Sequence, residues 1–274
     1  MGLSFAVVYV LWRLLPVNHA STGALLTLQG LQAVGLFIVP SLVVAYLWSD
    51  QPLQWLHLVR ISDGVLVLLS VSIMLTAIPL INTLVSWNEQ MRLPEGLHGL
   101  EQIMQQMEEQ ADRLLQTFLT YRDGAWWVLL LNLFILAVLP AIGEELTFRG
   151  IIQSHLFNSR LSAFNCHLSI WLTAFIFSFV HFQFYGFFPR MLLGAVLGYA
   201  LAWSGGIGYS VVMHATNNAL SILVFYFGTY TWHLSPDEID ALGTEHTWWL
   251  TLVCTPVMLV LLFLFYARTR TIQK

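Results

Sequence analysis

The sequence predicts an all-α fold: a polytopic transmembrane helical bundle of about eight spans, with one amphipathic interfacial helix attached. Three observations carry that expectation. Of 274 residues, 57% are hydrophobic and 9% charged, with mean hydropathy +0.71, whereas soluble domains carry about 25% charged residues. Several apolar runs reach the roughly 17–25 residues that cross a bilayer as a helix. Between two of them lies a polar stretch whose apolar residues recur three and four apart, the period of a one-sided helix.

The expected spans, in order, are Leu3–Leu15, Ala24–Trp48, Val65–Val85, Ala125–Ile142, Leu168–Phe184, Phe187–Trp203, Ile207–Tyr230 and Trp248–Tyr266. The first is short. No basic residue precedes its apolar run and no small-residue cleavage site follows, so it reads as a short span or an interfacial helix, not a secretory signal. Ala6 stands where a myristoylation signal needs Ser or Thr. The 11 basic residues are all arginine except Lys274. Arg268, Arg270 and Lys274 in the tail, with Arg60 and Arg160 in short loops, fall on one side, which places both termini in the cytoplasm.

Two stretches interrupt the spans. Within Ser86–Gly124, the residues Leu100, Ile103, Met104, Met107, Ala111, Leu114, Leu115 and Phe118 form an apolar stripe, with Glu101, Gln105, Glu108, Glu109 and Arg113 between them. Such a helix lies in the interface or packs on the bundle, and could also gate or dock a substrate. Thr231–Thr247 carries Asp237, Glu238, Asp240 and Glu245 and reads as a solvated acidic loop. The chain accordingly divides into an N-terminal part (1–124), a polar-bearing core (125–230) and a C-terminal part (231–274) with the acidic loop, last span and basic tail. A formal charge of -4 gives no reason to expect a nucleic-acid partner; the lipid bilayer is the expected surrounding. Cys166 and Cys254 fall in or beside spans and read as free, packed thiols.

The chemistry sits in the core. Glu144, Glu145 and Arg149 follow an apolar run, and a charge at the bilayer centre costs about 2.5–3.5 kcal/mol on insertion scales, so each is a functional candidate. Residues four apart share a helical face, which pairs Glu145 with Arg149; Glu144 is offset by about 100° and is left to face a cavity. That division suits Glu144 to general acid–base work. His181 lies in an aromatic run. His214 and Asn218 are an i, i+4 pair, and their imidazole and carboxamide could bind a metal, orient a water or donate to an oxyanion. Gly194, Gly198 and Ala202 make a small-residue stripe that reads as helix packing. Pro140 and Gly143 are expected to break the long fourth helix just before the glutamates. No His-Glu-x-x-His helix, Gly-x-Ser-x-Gly elbow, Walker loop or Gly-x-Gly-x-x-Gly loop occurs.

Glu144-Glu-Leu-Thr-Phe-Arg149, Phe177-Ser-Phe-Val-His181 and His214-Ala-Thr-Asn-Asn218 resemble, in order, the Glu-Glu-x-x-x-Arg, Phe-x-x-x-His and His-x-x-x-Asn motifs of the CAAX protease and bacteriocin-processing family of intramembrane peptidases. The resemblance covers roughly Trp126–Phe227, making 125–230 a peptidase-like core. It implies an endopeptidase that cleaves a membrane-associated protein or peptide. Glu144 would activate water with His181, His214 and Asn218 would hold the scissile carbonyl and its oxyanion, and Glu145 and Arg149 would brace the site. The family is usually labelled a metalloprotease, so Zn²⁺ on Glu144, His181 and His214 is one option and a metal-free water the other. The short chain looks like the bacterial-type members, which implies a multi-pass protein of the bacterial inner (plasma) membrane. The competing classes are a proton-coupled transporter and a non-catalytic scaffold or immunity protein of the same fold.

Overall fold

The computed structural model describes residues 10, 12–14, 18, 21–58, 61–155, 166–235, 243–244 and 247–272. Most of the expected first span, Arg60, Arg160, Lys274 and the acidic residues Asp237, Glu238, Asp240 and Glu245 lie outside them. Eight principal helices follow in order: α1 Thr22–Trp48, α2 Gly64–Glu89, α3 His98–Leu119, α4 Trp126–Gln153, α5 Cys166–Phe179, α6 Phe187–Ser204, α7 Ile207–Tyr230 and α8 Trp248–Ile272. No strand occurs among the described residues.

Among the described residues, six of these helices (α1, α2, α4, α6, α7 and α8) are long and apolar enough to cross a membrane. The expected bundle of about eight spans differs from these six at two places. One expected span lies largely outside the described residues. Another, Leu168–Phe184, is shortened: α5 stops at Phe179 after 14 residues. The chain then turns, with Phe182 in the left-handed region at φ 53°, a conformation that a helix cannot contain. His181 therefore sits in the turn after α5 and not on a spanning helix.

Local chemistry sets the helix ends. Ser21 caps α1, its Oγ accepting from Ala24 N at 3.3 Å, and Asp63 caps α2, its Oδ1 accepting from Val65 N at 2.7 Å. α6 ends at Gly205, whose φ of 77° suits glycine, and extended Gly206 starts α7. α4 does not break at Pro140 and Gly143 as expected. A π-helical turn, Leu133–Val138, runs into Pro140, which sits at the start of the next α-helical segment where its missing N–H is not needed. Gly143 serves a close approach instead: a Cβ there would stand 2.9 Å from Phe37 Cβ and 3.1 Å from the Ala33 carbonyl of α1. A second π-helical stretch, Leu146–Gln153, carries Arg149.

The bundle is apolar outside and polar within. Leu252 and Phe263 of α8 are exposed, while Ser41, Ser70, Asn88, Asn132, Glu145, Arg149 and Gln153 are buried. In lipid, apolar side chains gain little by leaving their surroundings, so close packing and internal hydrogen bonds hold such helices together. α2 packs most extensively against α8, and α5 against α6. Leu66, Ile73, Met74, Leu197, Met213 and Phe265 join α2, α6, α7 and α8 in the largest apolar cluster. With the sequence composition, these features define an integral, multi-pass membrane protein.

The amphipathic helix forms as expected, as α3. Its apolar stripe stays exposed at Leu100 and Ile103, a face suited to lipid. Polar groups hold its inner side: Asn132 Nδ2 of α4 donates to the Phe118 carbonyl at 2.9 Å, and Gln105 Nε2 donates to the Tyr185 hydroxyl at 2.9 Å.

Candidate active site

α4 supplies three ionisable groups from adjacent turns. Glu145 and Arg149 have fully buried side chains and form the expected ion pair, with Arg149 Nη1 at 2.8 Å from Glu145 Oε1. Arg149 Nη2 donates to the Gly194 carbonyl of α6 at 2.8 Å, and its guanidinium lies 4.8 Å from the centre of the Phe177 ring. One cation thus binds a carboxylate, a helix backbone and an aromatic face, three interactions that a planar guanidinium can make together.

The small-residue stripe of α6 has a larger part than packing. Gly194 offers its carbonyl to Arg149, and Gly198 offers its own to Gln153 Nε2 at 2.9 Å. A Cβ on Gly198 would come within 2.7 Å of Gln153 Oε1. The missing side chains let polar groups of α4 reach the backbone of α6, and in that way the stripe positions Arg149.

Glu144 points away from that pair, as its helical offset requires, with 14% of its side chain exposed. Its Oε2 lies 3.8 Å from His181 Nε2 and 3.7 Å from His214 Nε2. The other nitrogen of each ring faces an acceptor: His181 Nδ1 stands 2.6 Å from the Phe177 carbonyl, and His214 Nδ1 stands 2.8 Å from Glu145 Oε1. A carbonyl and a carboxylate can only accept, so each Nδ1 carries a proton; with the rings as neutral imidazoles, each Nε2 presents a lone pair. Three acceptors therefore meet with no donor between them, and Glu144 Oε2 is buried without a hydrogen-bond partner. Such a cluster calls for a water, a proton or a cation.

Phe177 organises the site from below. It is 1% exposed, and its ring packs edge-on against His181 at 4.9 Å and His214 at 5.7 Å while it meets Arg149 on a face. The Phe and His of the second motif are thus coupled twice, by ring contact and by the Phe177 carbonyl. Asn218 stands one turn beyond His214 on α7, half-buried, and its Oδ1 accepts from Asn217 Nδ2 at 3.4 Å. The structure brings Glu144, His181 and His214 together; no hydrogen bond joins Asn218 to them.

A cavity of about 390 Å³ opens beside this cluster, with His181, Phe182 and Gln183 in its wall. α3 contributes Met107, Ala111, Leu114 and Leu115 to it. The same turn that carries His181 thus borders both the carboxylate and an apolar space.

Among the described residues, no three His, Cys, Asp or Glu side chains are already gathered as a metal site. The nearest set is Glu144, His181 and His214. Its donors suit Zn²⁺, and each histidine has the second hydrogen bond typical of a ligating imidazole. Its 3.7 and 3.8 Å separations are wider than the roughly 3.4 Å that two bonds of about 2.1 Å at a tetrahedral ion impose. The chemistry fits, and the spacing would have to close by a few tenths of an ångström.

The site is therefore a glutamate facing two histidines, buried within a multi-pass helical bundle. Residues 125–220 match the family described as type II CAAX prenyl endopeptidase Rce1-like, a domain match within the CAAX protease and bacteriocin-processing family. At family level this is an intramembrane endopeptidase fold. No curated protein and no solved structure matched the chain.

Proposed function

We propose that the chain is an intramembrane endopeptidase that hydrolyses a membrane-associated protein or peptide with a water activated by Glu144. The observation that carries this reading is the meeting of three acceptors, the Glu144 carboxylate and the two Nε2 atoms. A water hydrogen-bonded at about 2.8 Å to two acceptors separates them by roughly 4.4 Å; Glu144 Oε2 and His181 Nε2 are 3.8 Å apart, so a shared water would open that gap by about half an ångström. Glu144 takes one proton as the water oxygen attacks the scissile carbonyl carbon, and His181 accepts the second hydrogen bond and holds the water in line.

The tetrahedral intermediate then needs donors for its oxygen. His214 directs Nδ1–H at Glu145, so it donates from Nε2 only after it has taken up a proton from solvent; the resulting imidazolium is held between the carboxylates of Glu144 and Glu145. Asn218, one turn further along α7, supplies an amide donor on the same face. Collapse of the intermediate breaks the C–N bond, and the proton held by Glu144 passes to the leaving nitrogen. Glu145 and Arg149 do not react; they fix His214 and α6. Zn²⁺, where bound, would sit on Glu144, His181 and His214 and supply Lewis-acid polarisation of the carbonyl.

The apolar cavity beside His181 suits a hydrophobic segment of the substrate. The bacterial inner membrane is the setting implied by the resemblance to short bacterial-type members. The deciding test is cleavage of membrane-peptide substrates in detergent by the wild type and Glu144→Ala, each with and without a chelator. Cleavage by the wild type alone supports the reading. Equal cleavage by both removes the Glu144 mechanism, and no cleavage by either gives precedence to a scaffold or immunity role.

A further inference from the structure

The segment that matches the family ends at its N-terminal side at residue 125, yet side chains from before it reach the turn that carries His181. Asn88, at the end of α2, donates from Nδ2 to the Phe184 carbonyl at 3.0 Å, and its Oδ1 accepts from Phe188 N at 3.1 Å. Glu108 of α3 accepts from Tyr185 N with Oε2 at 3.0 Å, and Gln105, one turn earlier, donates to the Tyr185 hydroxyl at 2.9 Å. From within the segment, Arg190 Nη2 donates to Gln183 Oε1 at 2.6 Å.

This turn needs such restraint. Phe182, next to His181, holds φ at 53°, a conformation that a bulky residue keeps only when its surroundings impose it. Tyr185 is the residue before Gly186, the N-cap of α6, near the positive end of the helix where a carboxylate is favoured. Glu108 is half-buried at that position, so its hydrogen bond is charge-assisted and partly shielded from solvent. Among the side chains from outside the family segment that hold the turn, it alone is anionic.

We propose that Glu108 is a positioning residue for His181: by accepting from Tyr185 N it fixes the turn that sets the distance of His181 Nε2 from Glu144. The assignment rests on the reading that His181 holds the water Glu144 activates. It makes α3, which the family segment does not include, part of the machinery. Misplacing a catalytic group by about 1 Å can cost roughly 10²-fold in rate, so loss of the tether acts on kcat and leaves KM near its wild-type value.

The experiment uses the full-length protein in detergent with ¹⁵N-labelled histidine, His181 being assigned by the loss of its signals in His181→Gln. In the wild type His181 gives one set of ring resonances with the proton on Nδ1. Glu108→Ala is expected to split or broaden that set and to lower kcat by 10-fold or more. Glu108→Gln keeps a carbonyl acceptor for Tyr185 N and is expected to restore both. Thermal melting of each variant establishes that it is folded. If Glu108→Ala keeps the wild-type His181 spectrum, or Glu108→Gln is as impaired as Glu108→Ala, the assignment is overturned. Should the wild type show no peptidase activity, the endopeptidase reading fails separately and the resonance arm alone decides the tether.

Discussion

His214 Nδ1 stands 2.8 Å from Glu145 Oε1, the same oxygen that Arg149 holds at 2.8 Å. One carboxylate oxygen therefore fixes the orientation of an imidazole on α7 while it neutralises a guanidinium on its own helix. Removing the arginine leaves that carboxylate buried and uncompensated. Arg149→Ala is expected to destabilise by about 3–5 kcal/mol, the usual cost of breaking a fully buried pair. Arg149→Lys keeps the charge but loses the fork that spans Glu145 and the Gly194 carbonyl, and should fall between the two. Denaturant titration in detergent measures both; an Arg149→Ala protein as stable as the wild type would contradict the pairing.

Glu144→Gln separates chemistry from stability. Shape and burial barely change, and the new amide offers a donor to the lone pairs of His181 and His214, which now face only an acceptor. The variant should melt at or above the wild-type temperature. Its cleavage of an identified substrate should drop by about 10²–10⁴-fold, the usual contribution of a general base. A variant that melts lower and cleaves normally would refute both halves.

His214 and Asn218 differ in the same respect. Each is expected to cost roughly 10²–10³-fold in kcat on replacement by alanine, the loss of an oxyanion donor. Only His214→Ala should also lower stability, because it removes the 2.8 Å partner of Glu145. Paired kinetics and melting of the two variants check this. Equal melting temperatures for His214→Ala and wild type would argue that the imidazole does not brace the carboxylate.

The sequence made the division of labour between Glu144 and Glu145 legible, because helical spacing alone puts Arg149 over Glu145 and turns Glu144 away. Spacing within one segment cannot report which groups meet across helices. The second partner of Glu145, His214, lies 69 residues further on, and only packing of α4 on α7 brings them together. Hydropathy placed the helices well and their ends less well. It extended α5 through His181 since Val180 and Phe182 are as apolar as the helix, while the left-handed Phe182 that ends the run has no signature in composition. The same limit hid the π-helical turn that carries α4 through Pro140. The glycines of α6 read as a packing stripe because their carbonyls, which receive Arg149 and Gln153, are common to every residue.

That last point is testable at Gly198. A methyl group there would approach Gln153 Oε1 at 2.7 Å and Ile170 Cγ2 at 2.8 Å, so α4, α5 and α6 must all adjust. Gly198→Ala is expected to destabilise by roughly 1–3 kcal/mol, the range for overpacking a filled interior. Gln153→Ala in the same chain removes one of the two clashes and should recover part of the loss, which a double-mutant cycle of melting temperatures reads directly. Additive effects would place the two residues out of contact.

A final relationship ties stability to pH away from the site. Arg268 Nε donates to Asp63 Oδ2 at 2.7 Å, and Asp63 also caps α2 through Val65 N. The Arg268 hydrogen bond, reinforced by the Val65 N–H, holds the Asp63 carboxyl below its ordinary range. A carboxyl whose folded pKa is depressed stabilises the fold above its unfolded value, near about 4, and that contribution is lost as pH falls through the folded value. Asp63→Asn keeps the oxygen that caps Val65 N but removes the charge and the acceptor for Arg268 Nε, so it should melt below the wild type at about pH 6. The gap should narrow as pH falls from the ordinary carboxylate range through the depressed folded value of the wild-type carboxyl. Melting curves of both proteins across that range decide it: a gap that persists unchanged in acid would mean that the charge on Asp63 does not stabilise the junction of α2 with α8.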